Sequence, residues 1–128
     1  MKTTLTIEQS AELIKRGVSA EKASMSNATM QAAVDARGIV RIPRQPIFTL
    51  ADLLSLLPKE ITVTMESYDV DRLACLHISS TNEKWYVSYK YEFEEREYWC
   101  KMFNSEELID ALYKLMIWAI AHNHVKLD

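Results

Sequence analysis

Glycine is almost absent from this chain, and its scarcity limits the folds that the sequence can adopt. Of the 128 residues only Gly17 and Gly38 are glycine, and neither has a second glycine close by. Phosphate-cradling loops and dinucleotide-binding folds need clustered glycines, because the backbone there must turn tightly and approach the ligand closely. Gly-flanked serine elbows, paired Cys-x-x-Cys motifs and helical His-Glu-x-x-His motifs are missing as well. The sequence therefore argues against these nucleotide-binding, hydrolase and metalloenzyme classes.

The length and composition predict a single domain, residues 1–128, with enough apolar material for a core. Hydrophobic residues make up 48% of the chain and charged residues 26%, and the formal net charge of −3 argues against a general polyanion binder. Two cysteines, Cys75 and Cys100, are too few for a disulfide scaffold and indicate reduced thiols. The N-terminal segment lacks the apolar run of a signal peptide, and the most apolar segment, 108–121, is too short to cross a bilayer. We expect a soluble cytoplasmic protein without a membrane partner.

Local signals predict helices within residues 6–57. Residues 6–9 (Thr-Ile-Glu-Gln) and 49–52 (Thr-Leu-Ala-Asp) have the spacing of capping boxes. Gly17 can close the first helix in a left-handed conformation, Ser19 can begin a second short helix, and Pro58 ends the leucine-rich helix that starts at Thr49.

Between these helices the periodicity fades. Residues 27–36 are compatible with one or two helical turns, and the prolines of residues 38–46 predict an extended connector. Arg37, Arg41 and Arg44 form the only local cluster of positive charge. They are interpreted either as a solvated loop neutralised by glutamates elsewhere or as a phosphate-binding patch.

An antiparallel meander of three or four strands is predicted for residues 60–103, which makes the fold class α+β. Strands are expected at 61–65, 72–79, 84–91 and 98–103, with turns at 67–71, 80–83 and 92–97. The third strand alternates cleanly, with Trp85, Val87, Tyr89 and Tyr91 on one face and Lys84, Tyr86, Ser88 and Lys90 on the other.

A long C-terminal helix is predicted from about residue 105 to residue 121. Residues 104–107 (Asn-Ser-Glu-Glu) resemble a capping box, and most of the circumference that follows is apolar. Such a helix must be covered on more than one side. It either lies between the sheet and the N-terminal helices or pairs with a second copy of the chain.

Three segments carry a resemblance to a known family. They are TIEQSAELIKRGVSAEKASM, PIFTLADLLSLLPKEI and SEELIDALYKLMIWAI, with Trp85 on the strand between them and Trp118 in the last helix. Together they resemble a family of small uncharacterised proteins from prophage-like and other mobile elements of gut Bacteroidales, many of which have a longer insertion where this chain has residues 27–36. The family has no assigned activity, so the resemblance implies a genetic setting and no mechanism.

The most plausible metal ligands are Cys75, His77 and Cys100. Cys75 and His77 share one face of a strand, and Cys100 lies on a later strand that could approach them, which would offer zinc two thiolates and an imidazole. Because Leu73 shares the face of Cys75 and His77, the competing interpretation is core packing.

Other polar residues have simpler structural interpretations. His122 and His124 would diverge on a continuous helix, although an extended His-x-His could chelate a metal if the helix ended at residue 121. Asp69 and Asp71 fit a cation site but suit a turn equally well, and the glutamates at 92, 94, 95 and 97 fit a solvated charge run. No cofactor is indicated, and an enzyme is the third-ranked class.

Aromatic residues give the leading functional hypothesis. Tyr86 lies on the face opposite Trp85, so a sheet face left uncovered by helices would present tyrosine and tryptophan to a partner. The interaction candidates are Tyr86 and Trp99 of the sheet and Trp118 of the apolar last helix, in a non-catalytic accessory protein that forms a homodimer or binds another protein. The alternative is a nucleic-acid-binding protein that uses Arg37, Arg41 and Arg44.

Overall fold

The structure, a computed structural model, describes residues 1–28, 33–34, 36–38, 40–41, 44–65 and 70–127. Its helices are α1 (Ile7–Lys15), a 3₁₀ helix (Ala20–Lys22), α2 (Leu50–Leu56) and α3 (Leu108–Ala121). Its strands are β1 (Met25–Ala28), β2 (Ala33–Val34), β3 (Val40–Arg41), β4 (Arg44–Ile47), β5 (Glu60–Met65), β6 (Val70–Ser80), β7 (Trp85–Phe93) and β8 (Arg96–Ser105).

The α+β prediction is confirmed by the main sheet. Strands β5, β6, β7 and β8 pair in sequence order and antiparallel, which is the predicted meander. One face of this sheet, the inner face, packs on α3 and carries buried residues such as Ile61, Ala74, Val87 and Tyr89. The alternation predicted for the third strand is therefore correct.

Helix α3 is covered within the chain. Eight of its residues are buried, and the helix contacts β7 and β8 on one side and α2 on another. Lys2 Nζ also forms an ion pair with Asp110 of α3 at 3.1 Å, which joins the start of the chain to this helix. Of the two arrangements considered for α3, the structure has the one inside the fold.

The first and middle helices begin as their sequences predict. The Thr6 hydroxyl accepts from the Gln9 backbone N–H while the Gln9 side chain accepts from that of Thr6, and Thr49 and Asp52 repeat this reciprocal pattern in α2. Gly17 follows α1 with φ of 110°, a conformation that a side chain would strain.

Two predictions for the N-terminal half are wrong in part. Within residues 27–36 the described ones belong to strands β1 and β2, with an exposed turn after them, and not to a helix. Residues 38–46 are extended where described, but they pair as β3 with β2 and as β4 with β1. The helical interpretation fails because hydrogen bonds between distant segments decide the conformation here.

The boundaries near β8 also differ from the prediction. Asn104 and Ser105 still pair with Tyr86 and Trp85 in the sheet, so the predicted capping box at 104–107 does not form and α3 starts at Leu108. The turn predicted over 92–97 contracts to Glu94 and Glu95, since β7 and β8 extend to Phe93 and Arg96.

Among the described residues, no helix is both long and apolar enough to cross a membrane.

Candidate interaction surface

The face of the main sheet opposite α3 is uncovered in the described part of the chain. This outer face is formed by alternate residues of three strands, which are Leu73, Cys75 and His77 of β6, Tyr86, Ser88 and Lys90 of β7, and Trp99 and Met102 of β8. Its large apolar side chains are strongly exposed, with 62% of Leu73, 41% of Trp99 and 40% of Met102 accessible. Ser88 between them is buried, so the face is apolar in part and open to solvent at its large side chains.

Trp99, on the edge strand β8, is held in place on the outer face by its neighbours. The imidazole of His77 contacts it edge-on at 5.1 Å between ring centroids, and Lys90 Nζ lies 5.4 Å from its ring centre. Lys90 also forms an ion pair with Glu97 at 3.1 Å. An aromatic side chain fixed in this way loses little entropy on binding, which is typical of an interaction anchor.

Core packing of the Leu73 face, expected from the sequence, is wrong. Leu73 and Cys75 are exposed and His77 is partly so, because α3 packs against the opposite face. Residue alternation fixes which side chains share a face but does not say which face a distant helix will cover.

The three predicted metal ligands do not converge. Cys75 and His77 lie on the outer face, whereas Cys100 is partly buried and packs against the core on the other side. Both cysteines are free thiols. The described residues contain no group of three or more His, Cys, Asp or Glu side chains placed to hold a metal ion.

A bulge in β8 explains the position of Cys100. Trp99 pairs with Lys90 and Lys101 with Tyr89, so Cys100 is an extra residue without a partner in β7. Cys100 and Lys101 consequently both reach the inner side of the sheet, where each lines a different groove beside α3. The sequence prediction that Cys100 lies on a strand that could approach Cys75 and His77 did not include this extra residue.

The first groove, here called the histidine groove, has a volume of about 610 Å³. It lies beyond the end of α3 and is lined by ten residues, of which Tyr91, Tyr98, Cys100, Trp118, His122 and His124 carry its chemistry. Tyr91 and Tyr98 stack with ring centroids 5.3 Å apart. Trp118 stacks with His122 at 4.9 Å and lies 5.2 Å from His124.

The expected divergence of His122 and His124 is wrong. Helix α3 ends at Ala121, and Asn123 adopts a left-handed conformation with φ of 60°. The backbone N–H of Asn123 donates to Ile120 O and that of His124 to Ala119 O, the hydrogen bonds of a Schellman motif. This reversal returns His124 to the Trp118 side, and the two imidazoles lie nearly parallel, 6.4 Å apart.

Burial shifts the pKa values of several side chains in the histidine groove. It raises the pKa of the Cys100 thiol. The pKa of Tyr91 is also raised, by burial and by its neighbours Cys100 and Tyr98, while Arg72 acts in the opposite direction. Burial and the neighbouring His122 lower the pKa of His124. A thiol with a raised pKa is protonated at neutral pH, so Cys100 is not an activated nucleophile.

The remaining candidate residues are scattered. Trp118 packs against the core and lines both grooves, and Trp99 also lines the histidine groove, whereas Tyr86 lines neither. Arg37 and Arg44 are exposed, the side chain of Arg41 lies outside the described part, and Asp69 lies outside it entirely. Asp71 is exposed and accepts a hydrogen bond from Thr64 Oγ1 at 2.7 Å.

Sequence reasoning missed two contributions to these sites. Leu73 and Met102 were not recognised as interaction residues, although alternation from Cys75 and His77 places Leu73 on their face. The clustering of Trp118 with His122 has a sequence signal, since they are four residues apart and so share a helix face.

Comparison of the chain with protein-family models, with curated proteins and with solved structures finds no match.

Proposed function

We propose that this chain is a non-catalytic protein-interaction module that self-associates through its outer face. The observation that carries the proposal is the exposed apolar surface of Leu73, Trp99 and Met102 on a sheet face opposite α3. Single exposed apolar side chains are common on proteins, whereas several on one flat face are typical of a binding surface. His77 contacts Trp99 and so links the β6 part of this surface to the β8 part.

The charges of the outer face favour a second copy as the partner. Glu60 of β5 lies opposite Cys75 of β6 in the strand register, which places it on the outer face, and Lys90 forms its ion pair with Glu97. Acidic and basic side chains therefore occur together on the same surface. In a two-fold contact the same patch meets itself, and a lysine of one copy can then face a glutamate of the other. A face of one charge sign would oppose such a contact.

The biological setting that we propose is an accessory role in a phage-like mobile element. Its support is the resemblance of the three helix-forming segments to proteins of such elements. A scaffold or adaptor role agrees with a site that offers exposed apolar packing surface.

Light scattering on a size-exclusion column tests the proposal. We expect the mass of a dimer, which should fall to that of a monomer on dilution. Trp99→Ser or Leu73→Ser should raise the protein concentration at which half of the dimer dissociates by about tenfold or more. A shift of that size corresponds to a loss of about 1.4 kcal/mol of association free energy or more, as expected for an anchor residue. The matched control is Leu54→Ser on α2, because the exposed fraction of Leu54, 38%, is close to the 41% of Trp99.

Two results would contradict self-association through this face. One is a monomer at every accessible concentration. The other is a dimer that Leu54→Ser weakens as much as Trp99→Ser does.

The nucleic-acid alternative rests on Arg37, Arg41 and Arg44. Of these, the side chains of Arg37 and Arg44 are described, and both are exposed. An electrophoretic retardation assay at low salt tests the alternative, and the absence of any shift would remove it.

A further inference from the structure

A second groove lies on the helix side of the sheet, away from the outer face. This basic groove has a volume of about 470 Å³ and runs between β8, α3 and the end of α1. Its apolar part includes Phe103, Tyr113 and Ile117, and its cations are Arg16, Lys101 and Lys114. His122, which also lines the histidine groove, closes one end.

The positive charge of the basic groove is largely uncompensated. Lys101 Nζ lies 5.5 Å from the centre of the Phe103 ring, and Lys114 Nζ donates to the backbone oxygen of Asn104 at 3.1 Å. Within the described part of the chain, neither lysine forms an ion pair. Arg16 is held by Glu12 at 2.9 Å, and none of the described residues that line the groove is acidic.

The edge of the sheet lies beside this groove. Among the described strands β8 pairs only with β7, so apart from the Asn104 oxygen, which accepts from Lys114 Nζ, the backbone groups on its other side are open to an added strand. The bulge at Cys100 turns Lys101 toward the groove, next to Phe103. An extended peptide along β8 would therefore place some of its side chains over an apolar floor and between two lysines.

We propose that the basic groove and the edge of β8 bind an extended, acidic segment of another protein, with apolar residues against Phe103 and Ile117 and carboxylates against Lys101 and Lys114. Charge complementarity selects the acidic partner, and the unpaired strand edge selects an extended peptide over a compact ligand. The groove lies on the side of the sheet opposite the outer face and the two share only strand β8, so peptide binding does not require the self-association proposed above.

Isothermal titration calorimetry with two synthetic peptides tests this assignment. The first is acetylated and amidated, with a central run of alternating leucine and threonine flanked by paired glutamates, and the second has lysine in place of each glutamate. We expect the acidic peptide to bind and the basic peptide not to bind, with an affinity that falls as salt is raised. Lys101→Glu should weaken binding of the acidic peptide about tenfold, since it replaces an attraction with a repulsion.

Lys84→Glu is the matched control, because Lys84 is an exposed lysine in the turn between β6 and β7, outside the groove. Backbone amide shifts of residues 101–103 on addition of peptide should locate binding at β8. The proposal is overturned if neither peptide binds, if both bind equally, or if Lys84→Glu weakens binding as much as Lys101→Glu. Binding of anionic lipid vesicles without binding of the acidic peptide would overturn it too, because the ligand would then be an amphiphile.

The failure of this proposal is distinguishable from failure of the self-association proposal. Leu73→Ser, on β6, should leave the peptide affinity unchanged, and Lys101→Glu should leave the solution mass unchanged.

Discussion

Asp52 is the most heavily hydrogen-bonded carboxylate described in this fold. It accepts from the backbone N–H of Ser24 at 2.8 Å and of Thr49 at 2.9 Å, and also from the Ser24 hydroxyl. Burial alone would raise its pKa, but these hydrogen bonds together hold the pKa below the ordinary value of 3.8. The side chain thus caps α2 and ties it to the chain that enters β1.

Replacing Asp52 by Asn should destabilise the protein by about 1–3 kcal/mol, because an amide N–H₂ would face donors that now meet a carboxylate oxygen. Urea unfolding at neutral pH measures this loss, and Asp71→Asn, at an exposed position, is the control. The lowered pKa of Asp52 also predicts how this loss of stability depends on pH. The stabilisation from the charged form is present above pH 3.8 and is lost as the pH falls through the folded-state pKa, so the penalty should shrink in acid. An equal penalty at both pH values would contradict this account.

His124, at the end of α3, also has a lowered pKa, here because burial and His122 disfavour its charged form. Its pKa is lowered from about 6.5, so below that pH the unfolded chain binds a proton that the folded chain does not. The free energy of unfolding should therefore fall as the pH drops from 6.5 toward the lowered pKa and should change no further below it. Chemical denaturation across this range measures the slope, and His124→Gln should reduce it. An unchanged slope in the variant would assign the pH dependence to other groups.

At the scale of elements, the β7–β8 hairpin has an unfavourable turn sequence. Glu94 and Glu95 have φ of 52° and 63°, the left-handed conformations of a two-residue hairpin turn that favours Asn-Gly. Glutamate adopts this region at a cost, and two adjacent carboxylates repel each other. Long strands on both sides, from Trp85 to Phe93 and from Arg96 to Ser105, hold the turn in place.

The double substitution Glu94→Asn and Glu95→Gly should stabilise the protein by about 1 kcal/mol, because both residues tolerate positive φ. Thermal or urea unfolding measures the gain. The control is Glu83→Gly in the turn between β6 and β7, where φ is not positive. This change should give no gain in stability, since glycine there only adds conformational freedom to the unfolded chain. Equal stabilisation by both changes would contradict the backbone explanation.

For the molecule as a whole, the features encoded by nearby residues were the predictable ones. The capping boxes at Thr6 and Thr49 and the alternation along β7 depend on residues a few positions apart, and the structure has all three. The start of α3 and the pairing of β1 with β4 depend on distant segments, and the sequence predictions were wrong there. The interaction candidate Tyr86 was found by alternation, but the choice of the uncovered face required the position of α3.

The bulge at Cys100 also determines how β8 can change over evolution. Every other residue of β8, all of which the structure describes, has a partner in β7. Loss of the codon for Cys100 or for Lys101 would remove the bulge and leave Trp99 and Phe103 on their present sides, whereas loss of a codon near either end of the strand would exchange inward and outward side chains up to the bulge. The gene can therefore tolerate a single-codon deletion at the bulge, and selection should remove such deletions toward the ends of the strand.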